Sequence, residues 1–544
     1  MPASSPSIFP RLLRITCLLA LLACPAIHAA DFYVAPEGKD TQAGTSAAPF
    51  REIRKALTVI APGDTVHVAD GSYKGFDAVG LGSATTTTTL VAPGGKAIIT
   101  KTTDRGINNP NNIVVWQCAR VVFDGFQSFQ AGSAAMRIVE CSQVTVRNCV
   151  FGDNQRWGIV TSHSDDLLIE NNDCYGSIEQ HGIYVANSGD RPVVRGNRFH
   201  GNGGSGLRSN GDVIQGGDGI ITGAVFENNI IYDNGKLGGA AMNLDGLQDG
   251  IIRNNVLYDN HATGIALFKG GGSEGPKGMK VLNNTVIMAG DGRYNLRITD
   301  AIGPILVRNN FLYNANTIKG PFSWNTPQDA AWTDSDFNAF GGGRFVSTDG
   351  ESTRISMETW RASGHEPNSA PSVNLADAVV NAAAHDYRPK AGSPLIDKAS
   401  ATPDVPQDVA GTSRPQGPAP DIGAWEYGAY ASWRSSQGFP AHTPATSDSD
   451  ADGISLLLEY ALNMDPKVAS IFGLPVVSLA AGQLRLQYSQ FRPDLLYQIE
   501  TSTDLDTWRA ERIQTYQDGN EHTGSIPMGT PPQRGFLRLR VTLP

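Results

Sequence analysis

The sequence predicts an all-β fold, a parallel β-helix in which short strands stack coil upon coil. One observation is a pattern that recurs through the middle of the chain: a few apolar residues, a polar residue, an Asn or Gly pair, and a second short apolar alternation. A second observation is the composition, since the 544 residues include 60 glycines and only 18% are charged. Short strands joined by tight turns use such residues more readily than helices do.

The repeat is carried by the segments VTVRNCVF, LLIENNDC, VVRGNRF, VFENNIIY, IIRNNVLY, KVLNNTVI and LVRNNFLY. The first residues of their Asn or Gly pairs are 23 to 32 residues apart, a spacing typical of one solenoid coil. These residues are Asn148, Asn171, Gly196, Asn228, Asn254, Asn283 and Asn309. Because asparagine tolerates a left-handed backbone and its amide can bond to neighbouring coils, we expect an asparagine column at one turn. Leucine-rich and propeller repeats fit less well, because neither signature recurs.

A short helix is predicted to cap the N-terminal end of the solenoid. Apolar residues at helical spacing lie between Phe50 and Leu57, and strand-like alternation follows at Val66 and Val68. The first coil of a solenoid exposes an unpaired strand edge, and a covering helix protects it from edge-to-edge association.

Two segments resemble secreted right-handed β-helix proteins of the polysaccharide lyase-like (pectin lyase-like) group. The first is the FYV…G.D…G…PF..I..A pattern that begins at Phe32, and the second is the closing segment GSPLIDKASATPDVPQDVAGTSRPQGPAPDIGAWEYG. The resemblance covers residues 31–428 and implies a right-handed pectin lyase-like solenoid for that domain. It specifies no activity, because the group includes lyases, hydrolases, epimerases and adhesins.

The N-terminus is predicted to be an export signal over residues 1–30. Arg11 and Arg14 precede the apolar run ITCLLALLACPAIHAA, which is short for a membrane span and ends in small residues. We expect cleavage near Ala29 or Ala30; the alternative is lipid attachment at Cys24. No later segment is long and apolar enough to be transmembrane, so we expect a secreted protein, whether extracellular, periplasmic or at the cell surface.

The tail is predicted to begin with a linker over residues 429–447 and a calcium loop within residues 448–466. Asp448, Asp450, Asp452, Gly453 and Glu459 fit the pattern D-x-D-x-D-G-x5-E, in which alternating carboxylates converge on one hard cation. The alternative is an acidic linker followed by a helix start. The segment resembles type-3-like or dockerin-like calcium repeats, although only one loop is present. Residues 467–544 alternate like a small β-sandwich, and we expect an accessory or surface-anchoring module.

Four cysteines follow the export signal: Cys118, Cys141, Cys149 and Cys174. The spacings from 118 to 141 and from 149 to 174 resemble one repeat, which would place each pair on neighbouring coils. An oxidising compartment permits disulfides, and unpaired cysteines stacked in the core fit the spacing equally well.

A β-helix presents function on outward side chains, because inward side chains form the core. The strands GIVTSH, GIYVAN, GLRSNGD, AMNLDG, GIALFK and NLRITD were aligned on their apolar residues. The inward residues are then Ile159, Ile183, Leu207, Met242, Ile265 and Leu296. The first outward column is Val160, Tyr184, Arg208, Asn243, Ala266 and Arg297, and the second is Ser162, Ala186, Asn210, Asp245, Phe268 and Thr299. A register shift of one residue would invert every facing.

Polar and ionisable residues therefore gather on the middle coils, and irregular glycine-rich loops adjoin them. The predicted catalytic residues are Lys269, Arg208, Arg297 and His181. The predicted substrate-binding residues are Asn210, Asn243, Asp245 and Tyr184. A groove metal is predicted at Asp212 and Asp218 beside Asp245, in addition to the tail site. For each residue there is an ordinary alternative: a solvated loop lysine, ion-paired arginines, a packing histidine, or aspartates that serve turns.

Together these residues suit β-elimination on a uronate polymer, with Lys269 removing the C5 proton and arginine or Ca²⁺ neutralising the carboxylate. In this the chain resembles secreted β-helix polysaccharide lyases, including calcium-dependent pectate lyases that use a lysine base; their tight aspartate cluster is not matched. The alternatives are a glycoside hydrolase, a C5-epimerase or a non-catalytic glycan-binding surface protein. We expect a monomer that binds an acidic polysaccharide and Ca²⁺. The net charge of −10 argues against a nucleic-acid partner.

Overall fold

The computed structural model describes residues 29–100, 110–343, 345–440, 443–480, 482–492, 495–511, 513–518, 520–528 and 534–543. Strands and helices are numbered below in chain order. The predicted export signal, apart from Ala29 and Ala30, lies outside these residues, and so does Cys24. In the part of the chain that is described, no helix is long and apolar enough to cross a membrane.

Three parallel sheets form the walls of a solenoid, and successive coils contribute one strand to each sheet. Sheet 1 contains β1 (Asp31–Val34), β2 (Thr65–Val68), β5 (Thr88–Val91), β8 (Val121–Asp124), β11 (Thr145–Arg147), β14 (Leu168–Glu170), β17 (Val193–Arg195), β21 (Val225–Glu227), β25 (Ile251–Arg253), β28 (Met279–Leu282), β31 (Ile305–Arg308) and β34 (Thr333–Asp336).

Sheet 2 contains β3 (Gly71–Lys74), β6 (Ala97–Thr100), β9 (Phe126–Phe129), β12 (Val150–Gly152), β15 (Asp173–Tyr175), β18 (Arg198–His200), β22 (Ile230–Tyr232), β26 (Val256–Tyr258), β29 (Thr285–Met288), β32 (Phe311–Asn314) and β35 (Ala339–Gly342).

Sheet 3 contains β4 (Phe76–Val79), β7 (Ile113–Trp116), β10 (Ala134–Val139), β13 (Trp157–Ser162), β16 (Ile183–Ala186), β19 (Leu207–Asn210), β23 (Ala240–Asp245), β27 (Thr263–Phe268), β30 (Leu296–Ile298), β33 (Phe322–Trp324), β36 (Phe345–Ser347) and the antiparallel β37 (Ile355–Ser356). The predicted parallel β-helix is confirmed by these three sheets.

Inward side chains of all three sheets fill one continuous core. Phe123, Phe151, Phe199 and Phe226 are fully buried in it. Each such side chain stabilises the fold by about 1.5–3 kcal/mol through burial. The predicted N-terminal helix is α1 (Ile53–Leu57), and its buried Ile53 packs into the same core.

The two members of each asparagine pair have different roles: one adopts the left-handed backbone and the other bonds to neighbouring coils. The sequence suggested both roles for one residue. The first member of each pair takes the left-handed backbone, with φ of 55° at Asn171 and 57° at Asn228, and Gly196 adopts φ 65°. The second member points inward and forms a ladder of amides. In that ladder the side chain of Asn229 donates to Asn255 Oδ1 at 3.0 Å, and each next coil repeats the bond.

The amide ladder ends on an acceptor. The Asn338 side chain donates to Glu366 Oε2 at 3.2 Å, and Glu366 is fully buried. Burial raises the pKa of Glu366. A carboxyl group can end the ladder because it accepts the last amide hydrogen, and the Ser369 hydroxyl donates to the same oxygen.

The four described cysteines are buried free thiols stacked in the wall of the solenoid. The backbone N–H of Cys118 donates to Cys141 Sγ at 3.3 Å, so these two lie on neighbouring coils. Burial raises the pKa of Cys149 to about 12 and that of Cys174 well above its usual value. Of the two arrangements compatible with the sequence, the structure has the unpaired one.

After sheet 3 the chain returns along the solenoid. Helix α2 (Pro327–Ala331) lies earlier, between β33 and β34, whereas the returning part contains α3 (Met357–Ala362), α4 (Leu375–Ala378) and the hairpin of β38 (Val379–Asn381) and β39 (Asp386–Pro389). The following strap, residues 395–426, covers the asparagine turn: Asn254 donates to Gln407 O and Asn309 to Ser400 O. Inside the strap, Arg414 and Glu426 form a fully buried ion pair at 2.8 Å.

The tail contains two helices and six antiparallel strands. The helices are α5 (Ala429–Ser436) and α6 (Leu456–Leu462). The strands are β40 (Val476–Ala480), β41 (Gln483–Ser489), β42 (Leu496–Ser502), β43 (Gln514–Asp518), β44 (Glu521–Pro527) and β45 (Phe536–Thr542), and in the described residues they form one sheet ordered β40-β41-β44-β43 and the pair β42-β45. Two short parallel strands, β20 (Ile221–Thr222) and β24 (Leu247–Gln248), pair beside the solenoid.

Candidate functional site

Five neighbouring strands of sheet 3 carry the outward column expected from the sequence. In register on β16, β19, β23, β27 and β30 lie Tyr184, Arg208, Asn243, Ala266 and Arg297. The residues just before them in each strand, such as Leu207 and Met242, are fully buried. Inward and outward facings therefore agree with the predicted alignment.

Arg208 is the central cation of this face. Its guanidinium lies 5.4 Å from the centre of the Tyr184 ring. Among the described residues no carboxylate lies within 4.0 Å of it, and it is half-buried. A half-buried arginine without an acidic partner is costly unless a ligand supplies the negative charge. Arg208 is thus suited to bind a carboxylate.

Arg297 has a protein partner. Its guanidinium lies 3.7 Å from Glu351 Oε1, and Lys319 contacts the other oxygen of the same carboxylate. Arg297 and Lys319 share one carboxylate, so the three side chains together keep a net positive charge. Arg297 and Asn243 line a cavity of about 240 Å³ on the coils that follow Arg208.

Asp245 and Asn210 lie in the second outward column, but a glycine loop covers them. Both oxygens of Asp245 accept backbone hydrogen bonds, at 2.7 Å from Gly270 and 2.6 Å from Gly271, and the residue is 1% exposed. Asn210 is 7% exposed and donates to the Tyr184 hydroxyl at 3.2 Å. The sequence suggested direct substrate contact for Asp245 and Asn210. In the structure Asp245 holds the loop and Asn210 bonds to Tyr184, and their contact with substrate stays a prediction.

Lys269 lies where β27 ends and this glycine loop begins. Its side chain is exposed, and no ion pair or hydrogen bond joins its amino group to another described residue. Lys269 does not line the cavity beside Arg297. It also does not line the groove around Trp116 and Arg137 on the preceding coils. It is placed by the loop that Asp245 anchors, so its location depends on that anchor.

His181 is buried rather than open to a ligand. It is 8% exposed, and its Nδ1 accepts a hydrogen bond from the backbone N–H of Ser205 at 2.9 Å. Burial, followed by the positive charges of Arg208 and Arg156, lowers the pKa of His181 to about 3. The ring stands edge-on to Tyr184 at 5.6 Å. The ring packs against Tyr184, and the catalytic role expected of His181 from the sequence stays a prediction.

The groove aspartates have backbone partners or lie at a turn in the structure. Asp218 is exposed, and its Oδ1 accepts from the backbone N–H of Ile220. Asp212 begins a 3₁₀ turn (Val213–Gln215) with φ 43°, while the oxygens of Asp245 are occupied by the glycine loop. Among the described residues, the one group of at least three potential ligands close enough to share an ion lies in the tail. Asp212 and Asp218 serve local turns in the structure, and the groove metal expected there stays a prediction.

A larger groove of about 800 Å³ lies on the coils that precede Arg208. Its walls include Trp116, Arg137, Arg156, Trp157 and Tyr184. The outward columns predicted from the sequence begin at Val160 and Ser162, so they do not include the first four of these residues. The signal was present in AAMRIV, where Arg137 is the one polar residue of a strand that otherwise reads as core.

The tail loop has the geometry expected of a cation site. Carboxylate oxygens of Asp448, Asp450 and Asp452 lie within 4.8 Å of one another. Both oxygens of Asp450 and both of Glu459 are buried without a hydrogen-bond partner among the described residues. Burial, followed by the carboxylates of Asp450 and Asp452, raises the pKa of Glu459 to about 7. Buried carboxylates without donors are the ligands that Ca²⁺ prefers, so this donor set fits that ion.

Comparisons with known proteins identify the solenoid. A pectate lyase, PEL9, from Emericella nidulans is 43% identical over 49 residues, which are 9% of this chain and 12% of that protein; the match thus spans about an eighth of the relative's length. The solved structure of pectate lyase Pel9A has 17% identity and a TM-score of 0.48, covering 74% of this chain and 98% of that one. An alginate lyase from Paenibacillus has 18% identity and a TM-score of 0.40, covering 54% and 97%. The model of the Pel9A-like right-handed β-helix region matches residues 32–310, and the chain belongs to this family.

Proposed function

We propose that the protein cleaves a uronate-containing polysaccharide by β-elimination. One observation carries the proposal: from Val114 to Arg297 the outward column of sheet 3 has three arginines and no carboxylate, in a chain of net charge −10. A cationic stripe on an acidic protein indicates an anionic ligand. The family supplies a polysaccharide lyase-type scaffold, and export would give the enzyme access to such polymers.

Arg208 would bind the carboxylate of the sugar that reacts. A guanidinium neutralises this group and makes the neighbouring C5 proton more acidic. Tyr184, held by Asn210 and His181, would orient the ring of the sugar from the same side. Asn243 and Arg297 would contact the adjoining sugar in the cavity of the following coils.

Lys269 would remove the C5 proton. As Lys269 takes the C5 proton, the electrons of the C5–H bond form a C4=C5 double bond, the C4–O4 bond breaks, and the leaving O4 takes a proton from water. The residue before Lys269, Phe268, is in register with Asp245 and Asn210, so Lys269 lies about two strand spacings, roughly 10 Å, from the coil of Arg208.

The test is ultraviolet absorbance of the unsaturated product with a panel of polygalacturonate, alginate and hyaluronan. We expect Lys269→Ala to lower kcat by about 10²–10⁴, the usual contribution of a general base. Arg208→Ala is expected to lower kcat/KM by about 10² or more through loss of the charge partner. The matched control is Lys236→Ala, which removes an exposed lysine paired with Asp233.

Full activity of Lys269→Ala would assign the base to another residue. New reducing ends without absorbance would contradict elimination and indicate hydrolysis. The covered Asp245 and the turn-forming Asp218 argue against hydrolysis, since it needs two accessible carboxyl groups. Inversion at C5 without cleavage would indicate an epimerase, and binding without any reaction would indicate a glycan-binding protein.

We also propose that the tail loop binds Ca²⁺ through Asp448, Asp450, Asp452 and Glu459. The buried, partnerless carboxylates of Asp450 and Glu459 support this assignment. Isothermal titration of the chelator-treated protein is expected to show one Ca²⁺ site, abolished in Glu459→Gln. Asp465→Asn, which changes an acid beyond α6, is the matched control. A wild-type protein that binds no Ca²⁺ would contradict the assignment.

A further inference from the structure

The larger groove contains an exposed tryptophan that is held in place. The side chain of Trp116 is 44% exposed. Its indole N–H donates to Glu140 Oε2 at 3.2 Å, and the Gln117 amide donates to the same oxygen at 2.9 Å. These bonds, that of Gln117 first, lower the pKa of Glu140. An exposed aromatic ring that is fixed in this way offers a flat face at little cost in entropy.

Cations lie beside this ring. Arg137 is exposed on β10, and no described carboxylate lies within 4.0 Å of it. Arg156 stacks over Trp157 at 4.3 Å and lies 3.9 Å from Glu179. The groove lining includes one acid, Asp212, against these two arginines. Its chemistry therefore combines apolar faces with positive charge.

The groove is continuous with the face that carries Arg208. The register links Arg137 to Val160, Val160 to Tyr184, and Tyr184 to Arg208. Three strand steps separate the two arginines, or about 14 Å. Trp116 lies on β7, one strand further and two residues along the strand from Val114, at about 20 Å from Arg208. That distance exceeds one sugar ring and corresponds to several sugars of an extended chain.

We propose that Trp116 and Arg137 form a distal subsite for a uronate sugar, so that an acidic polysaccharide lies parallel to the solenoid axis from Trp116 to Arg208. Trp116 stacks on the apolar face of a sugar ring, and Arg137 pairs with a carboxylate of the same or the next sugar. The assignment of the ligand class rests on the proposed function. The subsite itself concerns binding, and it holds whether or not the bound chain is cleaved.

The experiment compares short and long acidic oligosaccharides on three variants. Oligouronates of graded length are prepared from whichever polymer of the panel binds, and their affinities are measured by titration calorimetry. Trp116→Ala and Arg137→Ala are expected to weaken binding of long oligomers about tenfold each, the usual scale for one stacked ring or one charge pair. Binding of the shortest oligomers, which reach Arg208 alone, should not change. Arg147→Ala, which removes an exposed arginine paired with Asp124 on sheet 1, is the matched control.

The outcomes separate this inference from the proposed function. Length-dependent loss of affinity in the two variants supports the subsite, even if the wild-type protein cleaves nothing. If the wild-type protein cleaves the polymer but all variants bind long oligomers equally well, the subsite is overturned and the proposed function stands. A wild-type protein that binds no member of the panel would overturn both. A similar loss of affinity for a neutral glucan in these two variants would also overturn the subsite, because its ligand would then not be acidic.

Discussion

The side chain of Asp245 holds the first three glycines of the loop that follows Lys269, and the effect of removing it can be estimated. Asp245 accepts hydrogen bonds at 2.7 Å from Gly270, 2.6 Å from Gly271 and 3.2 Å from Gly272. A hydrogen bond to a charged group contributes about 1.5–3 kcal/mol. In Asp245→Ala the amides of Gly270 and Gly271 can rebond to water, so the net loss is expected to be about 3 kcal/mol.

Hydrogen exchange of the Gly270–Gly272 amides measures this loss directly. A loss of 3 kcal/mol corresponds to exchange about a hundredfold faster, since about 1.4 kcal/mol is a factor of ten. Asp245→Asn keeps one acceptor and should give an intermediate rate. Asp218→Ala, which removes a single exposed hydrogen bond, serves as control. Unchanged exchange of these amides in Asp245→Ala would refute the assignment of Asp245 as the anchor of the loop.

Three further predictions follow from buried polar groups. As pH falls below 6.5, unfolded chains protonate His181, whereas the folded protein does not until about pH 3. The free energy of unfolding should therefore fall by at most about 1.4 kcal/mol per pH unit over that range. Denaturant titrations of His181→Gln should show a weaker dependence of this free energy on pH. Asn255→Ala should cost about 3–5 kcal/mol in denaturant unfolding because it removes both ladder bonds of a buried amide, whereas Asn228→Gly should cost almost nothing at its left-handed position. Arg414→Met should cost about 3–5 kcal/mol by the same assay because it leaves Glu426 charged and buried; a loss below 1 kcal/mol would show that the strap relaxes.

The coil pattern could be predicted from the sequence because facing is fixed by alternation. Once Ile183, Leu207 and Met242 are assigned to the core, the outward positions follow, and Tyr184 and Arg208 fall in register. Inward apolar residues recur on every coil, so a register shift of one residue would bury charged side chains. The correct register is the one that avoids the free-energy cost of burying them.

The path of the loops could not be predicted in the same way. Asp245 is covered because residues 270–272 fold back over an earlier coil, and Arg297 is paired because Glu351 approaches from a later one. Both contacts depend on backbone conformations that glycine-rich segments leave open. Sequence alternation specifies where a side chain leaves the sheet, whereas its exposure is decided by segments that arrive from elsewhere in the chain.

The asparagine ladder has a direction, and this makes the length of the solenoid adjustable. Every amide gives its hydrogen to the next coil and receives one from the coil before, and Glu366 receives the last. A whole coil can therefore be duplicated or removed between two asparagines without leaving either neighbour unsatisfied. Each such step would lengthen or shorten the outer face by one strand spacing, about 4.8 Å. The length of the binding face is thus set by the number of coils. Related proteins could therefore match this face to longer or shorter polymers by gaining or losing coils.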